Sequence, residues 1–492
     1  MASDTSFFGL NRPEYIPSRE LFLSELAWSL TTQGSPRRID KDFGPAGIAF
    51  NDRGTRKNPA IETTRPKEGD DRFNAIATKL KDNLRLHSKT EARVVANVLL
   101  HELEAPSSAK ATRSVVTPLT LESALLQDRR GATGKNNPAN IALILEQMFA
   151  LGGGNSSVAA LWAKAVLNAS PAGLPRWASE AIAELVPEPF QDSVDDLVNR
   201  IETHEPRGVR RPAWLSCMPA TPYLWFSSAW TRLCSDDWID SMPRRRWTDW
   251  AACVARTGIA TGYMFELHLA RRMLSALASS VDARQSVREA MEDAKRLFTW
   301  DDRLDRSAAD VVPIVNKLAA DGTECLSLLA DLVEPGDWEG IEAPAEYDDD
   351  PDGLSNWLEE SRARLSARGV DIAPIVSQAL GAPKAGGANN TWETIRYSLV
   401  DRSPSGAGDL YAMLRSAGRY TWVEPGQEWL VTIASLCSAG PKSLCRLNDV
   451  QDALSSIGVE ASQQTLVSRL EGFGLARSSH DADDALEIVA GF

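Results

Sequence analysis

Apolar residues recur at helical spacing over most of the chain. In FNAIATKLKDNLRL and TEARVVANVLLHELEA they fall at i, i+3, i+4 and i+7, the pattern of amphipathic helices. Asn137, which precedes Pro138, and Ser193 are the expected N-caps of two later helices. Alternating β-branched and aromatic runs are scarce in the first 420 residues, so we expect a mainly α protein. Further helices are expected near residues 21–30, 119–129, 139–151, 157–168, 175–185 and 191–203.

The centre of the chain, residues 214–272, holds six of its fifteen tryptophans. From Arg244 onward the pattern predicts one long helix. Gly258 and Gly262 lie four residues apart, so both leave bare backbone on the same helix face, where a neighbouring helix can approach closely. The residues expected to be buried here are Trp247, Trp250, Gly258 and Gly262.

Turn residues and composition divide the chain into five segments. The first is rich in Gly, Pro and charge outside one short helix, which indicates a partly ordered arm. Later helices are expected to stop at glycine and proline, so that SVREAMEDAKRLFTW, RSAADVVPIVNKLAADG and ECLSLLADLVEPG form three helices, and GAPKAGGANN breaks the pattern. The expected segments are the N-terminal arm (1–75), a large helical domain with a Trp-rich core (76–340), an acidic linker (341–353), a small helical segment (354–420) and a C-terminal domain (421–492).

The C-terminal segment shows three helices followed by a strand pair. EWLVTIASLC, LNDVQDALSSIG and ASQQTLVSRLEGFG are the expected helices, and LAR and LEIVAGF are expected to pair around RSSHDADDA. This order resembles the winged-helix family over residues 425–492, with a short β wing. The resemblance implies that the third helix faces the major groove of DNA. The side chains it would present are Gln463, Gln464, Ser468 and Arg469.

The net charge of the chain bears on whether the C-terminal segment contacts DNA or protein. The chain carries a net charge of −14, and residues 421–492 hold four Lys/Arg against ten Asp/Glu. Because neutralised phosphates supply most affinity for nucleic acid, this balance favours a winged helix that contacts protein. Six dispersed cysteines without a C-x-x-C pair indicate free thiols in a reducing compartment. With no signal peptide and no long apolar run, we expect a cytoplasmic protein.

Basic residues concentrate beside tryptophans in PRGVRRPAW and PRRRW. Arginine next to an aromatic ring is suited to binding phosphate and stacking on bases. The same arginines can instead stack on tryptophan and pair with Asp236, Asp237, Asp240 and Asp249. A helix N-terminus disfavours cations, so an arginine triplet there requires either carboxylate neighbours or an anionic partner. The candidate residues are Arg210, Arg211, Arg244, Arg245 and Arg246.

Three further motifs are incomplete. The D-x-D-x-D-G-x5-E calcium loop is matched at residues 348–359, but no entering helix precedes it and Pro351 lies within it. We therefore expect an acidic linker and no metal site. GGGNSS at 152–157 lacks the lysine of a phosphate-binding loop and indicates a helix–helix turn. LLHELEA has Ala105 where a zinc site needs a second histidine. The calcium-loop match consists of Asp348, Asp350, Asp352, Gly353 and Glu359.

Two hypotheses of function follow. The first is a non-catalytic cytoplasmic component of a multiprotein assembly, such as a bacterial defence or DNA-processing complex, with other protein subunits, an ATPase or nuclease among them, as partners. The alternative is a nucleic-acid-binding protein that uses the Arg/Trp patch and the winged-helix-like tail. No catalytic motif, cofactor or membrane partner is expected. An enzyme whose site combines dispersed acids such as Glu102 and Glu266 is a third class that stays open.

Overall fold

The computed structural model describes residues 7–10, 21–31, 67–105, 115–126, 140–185, 191–206, 209–218, 220–336, 338–381, 386–400, 409–477 and 486–491. In these residues the protein is mainly α, with twenty α-helices and nine short strands. The helices are α1 (Leu21–Leu30), α2 (Asp71–Asn83), α3 (Lys89–Leu103), α4 (Leu121–Ala124), α5 (Ile141–Leu151), α6 (Val158–Asn168), α7 (Arg176–Leu185), α8 (Gln191–Arg200), α9 (Ala213–Ser216), α10 (Pro222–Leu233), α11 (Asp236–Ile239), α12 (Arg244–Leu277), α13 (Ala283–Ala294), α14 (Val312–Val333), α15 (Gly353–Ala367), α16 (Ile372–Leu380), α17 (Gly386–Leu399), α18 (Gln427–Ser435), α19 (Leu447–Ser456) and α20 (Gln463–Gly472). The strands are β1 (Glu104–Ala105), β2 (Val115–Val116), β3 (Phe298–Trp300), β4 (Leu414–Ala417), β5 (Tyr420–Val423), β6 (Leu444–Arg446), β7 (Val459–Ala461), β8 (Ala476–Arg477) and β9 (Glu487–Val489).

Helix α12 forms the centre of the molecule. It is 34 residues long and buries side chains around its whole circumference, as a helix enclosed by other helices does. Helices α5, α10, α13, α14, α17 and α18 pack against it. Trp247 and Trp250 are fully buried, which confirms the prediction for the Trp-rich core. Within the described residues, no helix is both long and apolar enough to span a membrane.

The glycine face of α12 is covered by side chains from α5 and α10. A Cβ atom at Gly258 would lie 2.7 Å from Cδ2 of Phe226, and one at Gly262 would lie 3.0 Å from Cε1 of Tyr223. The Tyr223 hydroxyl donates to the Gly262 carbonyl at 3.0 Å. The predicted close approach at these two glycines is therefore confirmed.

Two predicted helix breaks do not occur. The helices expected to stop and restart at Gly322 form the single helix α14. A Cβ atom at Gly322 would lie 2.6 Å from Cβ of Leu267, so this glycine permits close packing of α14 on α12. Helix α17 begins at Gly386, inside the stretch expected to break the pattern, because packing against α12 outweighs the low helix propensity of glycine.

Other local predictions also need correction. The FTW sequence expected to end a helix forms β3, which pairs in parallel with β7. Asn140 is the N-cap of α5 and accepts from the Leu143 amide, whereas Asn137 lies outside the described residues. Ser193 lies inside α8, which begins at Gln191. Several nearby polar residues are able to cap a helix, and the local path of the chain decides which of them does so.

Part of the predicted N-terminal arm is buried in the helical core. Phe7 and Phe8 are 0% and 3% exposed, and α1 is buried on most of its surface. The carboxylate of Glu266, in the middle of α12, accepts from the amides of Phe7 and Phe8 at 2.9 and 3.3 Å. Gln147 donates to the Gly9 carbonyl at 3.1 Å. Residues 1–6, 11–20 and 32–66 lie outside the described residues, so the partly ordered arm stays a prediction for them.

The segment predicted at 354–420 packs directly on the body, because α15, α16 and α17 contact α12 or α14. Its end is not helical: β4 and β5 form an antiparallel hairpin in which Ala417 lies opposite Tyr420. Gly418, the first of the two loop residues, has φ +60°, as a type II′ turn requires. The small helical segment predicted at 354–420 therefore ends in a strand, β4, that the sequence pattern did not indicate.

The chain ends in a unit of three helices and a three-stranded sheet. Helix α18 is followed by β6, α19, β7, α20, β8 and β9, and the sheet has the order β6-β9-β8 with both pairs antiparallel. The predicted pairing of the last two strands is confirmed, with Arg477 opposite Glu487. Residues 478–485, which connect these strands, lie outside the described residues.

Candidate functional site

Arg244, the first of the three arginines at the start of α12, is buried. It is 5% exposed, and its Nη1 atom lies 3.4 Å from the Leu119 carbonyl oxygen and 3.5 Å from that of Val166. Burial lowers the pKa of its guanidinium, and the charge of nearby Asp240 opposes this shift. This arginine is therefore part of the core and does not face a ligand.

The other two arginines of the triplet are bound by neighbouring helices and, for Arg245, also by α12 itself. Arg245 donates to the Glu102 carbonyl at 2.7 Å and lies 3.5 Å from the Asp249 carboxylate. Arg246 binds both carboxylate oxygens of Glu428, the shortest contact being 3.0 Å. Of the four aspartates expected as partners, Asp249 is confirmed. Carbonyls and carboxylates within the chain thus offset the unfavourable position of the triplet at a helix N-terminus.

Arg210 lies against the acidic loop that precedes α15. Its Nη1 atom is 2.7 Å from Oδ2 of Asp348, and its Nη2 atom contacts the carboxylate of Asp349. A backbone hydrogen bond joins the same two segments, because the amide of Ala213 donates to the Asp348 carbonyl at 2.6 Å. The guanidinium is therefore already occupied by carboxylates.

Two of the three remaining acids of the calcium-loop match, Asp350 and Asp352, also bind groups of the chain. Asp350 accepts from the Asp352 amide at 2.9 Å and from the side chain of Asn356. Asp352 pairs with Arg284 at 3.2 Å, and Glu359 is exposed on α15. Over the part of the chain that the structure describes, no group of three or more His, Cys, Asp or Glu side chains could hold a metal ion.

Arg211 lies beside the loop 152–157 that joins α5 to α6. Burial lowers the pKa of its guanidinium, and its Nη1 atom lies next to Gly153, which has φ +87°. At the start of α6 the carboxylate of Glu146 accepts from the amides of Val158 and Ala159, both at 3.1 Å. A side chain therefore occupies the position where a phosphate would bind a helix N-terminus, and the helix–helix turn is confirmed.

Helix α20 presents a mixed surface. Gln463, Gln464 and Ser468 are exposed. Arg469 is paired within the chain, because its Nε atom lies 2.8 Å from Oδ2 of Asp302. This hydrogen bond raises the pKa of the Arg469 guanidinium. Gln463, Gln464 and Ser468 are neutral hydrogen-bonding groups, and Glu471, which is also exposed, is an acid, so the exposed surface of the helix carries no cation.

The first turn of α20 is held against the body of the protein. The Ser462 amide donates to the Trp300 carbonyl at 2.9 Å, and the Asp302 amide donates to Oγ1 of Thr465 at 3.1 Å. The parallel pairing of β7 with β3 continues this contact. Residues 300–302 therefore lie directly beside the end of the helix that the winged-helix resemblance directs toward DNA.

Helix α18 is held to the body at both ends. Near its start, Glu428 binds Arg246, and Nε1 of Trp429 donates to Oγ1 of Thr257 at 3.1 Å. At its end, the guanidinium of Arg232 donates to the carbonyls of Leu436 and Cys437. A cation at a helix C-terminus is favourable, so this contact stabilises both the helix and its docking.

A second group of arginines, which the sequence pattern did not indicate, lies on the β4–β5 hairpin (Arg415, Arg419) or packs against it from a preceding loop (Arg306). The guanidinium of Arg306 lies 4.8 Å from the centre of the Trp422 ring, and that of Arg419 lies 4.8 Å from the centre of the Tyr420 ring. Arg415, opposite Trp422 in the hairpin, pairs with Glu424 at 2.7 Å. The available signal was YTWV, a β-branched and aromatic run that directly follows a Gly-containing two-residue turn.

The arginines and the C-terminal unit are thus the features of this chain from which a function can be argued. Those near α12 are mostly bound internally, whereas those of the hairpin lie at the surface. Searches against protein-family models and curated proteins find no match to this chain.

Proposed function

We propose that the chain is a non-catalytic, cytoplasmic component of a multiprotein assembly and that it acts through contacts with other protein subunits. A bacterial defence or DNA-processing complex is the kind of assembly we favour, with an ATPase or nuclease subunit supplying the chemistry. The observation that carries this proposal is the internal use of the arginines that the sequence offered for phosphate. Because four of the five, Arg210, Arg244, Arg245 and Arg246, bind carbonyls or carboxylates of the chain, few of these arginines remain for a nucleic acid backbone.

The C-terminal unit provides the second part of the proposal. We infer that residues 427–491 form a winged-helix unit that contacts protein. The succession α18, β6, α19, β7, α20, β8 and β9 and the sheet order β6-β9-β8 support this assignment. The contact of Ser462 and Thr465 with residues 300–302 supports a role other than groove insertion, because the body lies beside the first turn of α20.

The contact surface we assign to the partner includes Gln463, Gln464 and Ser468. Neutral amides and a hydroxyl suit hydrogen bonds across a protein interface, where buried charges are costly unless paired. Phosphate neutralisation requires cations, and the nearest one on this helix, Arg469, is paired with Asp302.

Purification of the tagged full chain from its host tests the proposal. We expect a second protein subunit to remain bound after nuclease treatment in high salt. Replacing Gln463 and Gln464 with glutamate should reduce the amount of bound subunit, because it places two uncompensated charges in the interface. The control is Gln378→Glu, which adds one such charge at an exposed amide on α16 and should leave binding unchanged.

Two results would contradict the proposal. One is release of the second subunit by nuclease, which would mean that nucleic acid bridges the two proteins. The other is robust metal-dependent hydrolysis of nucleotide or nucleic acid by the purified chain alone, lost when one pair of carboxylates is replaced.

A further inference from the structure

We propose that one face of the β4–β5 hairpin binds the backbone of a single-stranded nucleic acid through Arg306 and Arg419. This inference goes beyond the protein contacts proposed above and uses different residues. Both arginines are exposed, and each lies over an aromatic ring of β5 at 4.8 Å from the ring centre. Arginines bind phosphate and add cation–π contacts with aromatic rings in proteins that bind single strands.

The loop that carries Arg306 is fixed to the hairpin by backbone contacts. The carboxylate of Asp310 accepts from the Thr421 amide at 2.9 Å, and the Val311 amide donates to the Thr421 carbonyl at 2.7 Å. These bonds join residues 310–311 to the middle of β5. They hold the preceding loop against the hairpin face on which Trp422 lies, so Arg306 is positioned before any ligand arrives.

Carboxylates close to these arginines are engaged by other groups. Asp301 binds Arg303, and Asp302 binds Arg469. Glu424 accepts from Arg415 at 2.7 Å and from Nε1 of Trp422 at 2.8 Å.

Asp305, the acid next to Arg306 in the chain, accepts from the amides of Ser307 and Ala308 at 2.8 and 3.0 Å. By contrast, Arg306 and Arg419 form no ion pair with any described residue, although Arg419 donates to the Tyr420 hydroxyl. Their remaining donors face solvent, and an arginine carries five.

The spacing of the two rings fits successive phosphates. Tyr420 and Trp422 are two residues apart on one strand, so their side chains emerge on the same face about 7 Å apart. This is comparable with the separation of neighbouring phosphates along an extended strand. A duplex would bring a second phosphate chain toward a protein of net charge −14, so one strand is accommodated with less repulsion.

Fluorescence anisotropy of a labelled oligothymidylate, titrated with the full chain over a range of salt concentrations, tests the inference. Replacing Arg306 and Arg419 with alanine should reduce the slope of log K against log salt by about 1.4, because each phosphate contact on a single strand contributes about 0.7. The matched control replaces Arg288 and Arg368, two exposed arginines on α13 and at the end of α15, and removes the same charge. It should keep the wild-type slope.

A lysine pair at positions 306 and 419 provides a second variant in which the charges remain. It should restore most of the slope, and its thermal unfolding curve, with that of the alanine pair, confirms that both variants are folded. Three results would overturn the inference: no binding of the oligothymidylate at low salt, a wild-type slope in the alanine pair, or displacement of the oligonucleotide by polyglutamate at equal charge concentration. The last would assign the surface to an acidic protein segment.

Discussion

Replacing Gly258 with alanine tests whether the glycine face of α12 is a packing requirement. The added Cβ atom would lie 2.7 Å from Cδ2, 2.9 Å from Cγ and 3.2 Å from Cβ of Phe226. Phe226 is 1% exposed, and its ring packs against Phe149 and Trp230, with centroid distances of 6.3 and 5.8 Å. The ring therefore has little room to move away from the new methyl group.

Two opposing effects set the magnitude. Alanine is favoured over glycine inside a helix by about 1 kcal/mol. Overpacking of a closed core costs about 1–3 kcal/mol, and contacts below 3.0 Å with a fixed aromatic ring place Gly258→Ala toward the upper part of that range. We therefore expect a net loss of about 1–2 kcal/mol in the free energy of unfolding.

Urea denaturation of the full chain, followed by tryptophan fluorescence, measures this loss. Gly472→Ala is the control, because Gly472 ends α20 and no atom lies within 4 Å of its added Cβ. There the helix-propensity term acts alone, so the control should gain up to about 1 kcal/mol. If Gly258→Ala were as stable as the control variant, the close approach of α10 to α12 would not be the reason for glycine at this position.

Three further predictions follow from polar groups that are buried or half-buried. Glu266→Ala leaves the amides of Phe7 and Phe8 without this acceptor and should lower the free energy of unfolding by about 3 kcal/mol, with a smaller loss for Glu266→Gln in the same urea titration. Burial lowers the pKa of His268 to about 4, below its unfolded value of 6.5. The folded state therefore loses stability as pH falls from 6.5 to 4, and His268→Gln should remove about 3 kcal/mol of this pH dependence in denaturation curves measured at several pH values. A double-mutant cycle of Arg246→Ala and Glu428→Ala should give a coupling energy of about 1–2 kcal/mol, and a value near zero would mean that the pair does not stabilise the docking of α18.

Helical periodicity predicted the class of fold and the central helix, because the apolar residues that a helix buries recur at a fixed spacing along the sequence. It did not predict that α14 continues through Gly322. A glycine that ends a helix and one that admits a neighbouring helix look the same in sequence, and only the position of Leu267 distinguishes them. Strand β3 was missed for a related reason: FTW is three residues long and pairs with β7, which lies more than 150 residues later in the chain.

The candidate site shows the limits of sequence reasoning more sharply. Arg246 and Arg306 both lie near a tryptophan ring, at 6.0 and 4.8 Å from its centre. Proximity to tryptophan therefore does not distinguish an arginine that is paired within the chain from one that is available to a ligand. Their difference lies in the partner: Glu428 reaches Arg246 from 182 positions away, whereas no described carboxylate pairs with Arg306. Whether an arginine is available to a ligand depends on such distant pairings, which local sequence does not contain.

The two proposed surfaces lie close together. Asp302 binds Arg469 of α20 and begins the loop that places Arg306 over Trp422 four residues later. The same loop is joined to β5 through Asp310. A protein subunit bound at Gln463 and Gln464 would therefore sit beside a strand held on the hairpin, and both would rest on residues 300–311. Taken together, the two proposals have the acidic chain present one nucleic acid strand to a catalytic partner, without requiring the C-terminal unit itself to enter a groove.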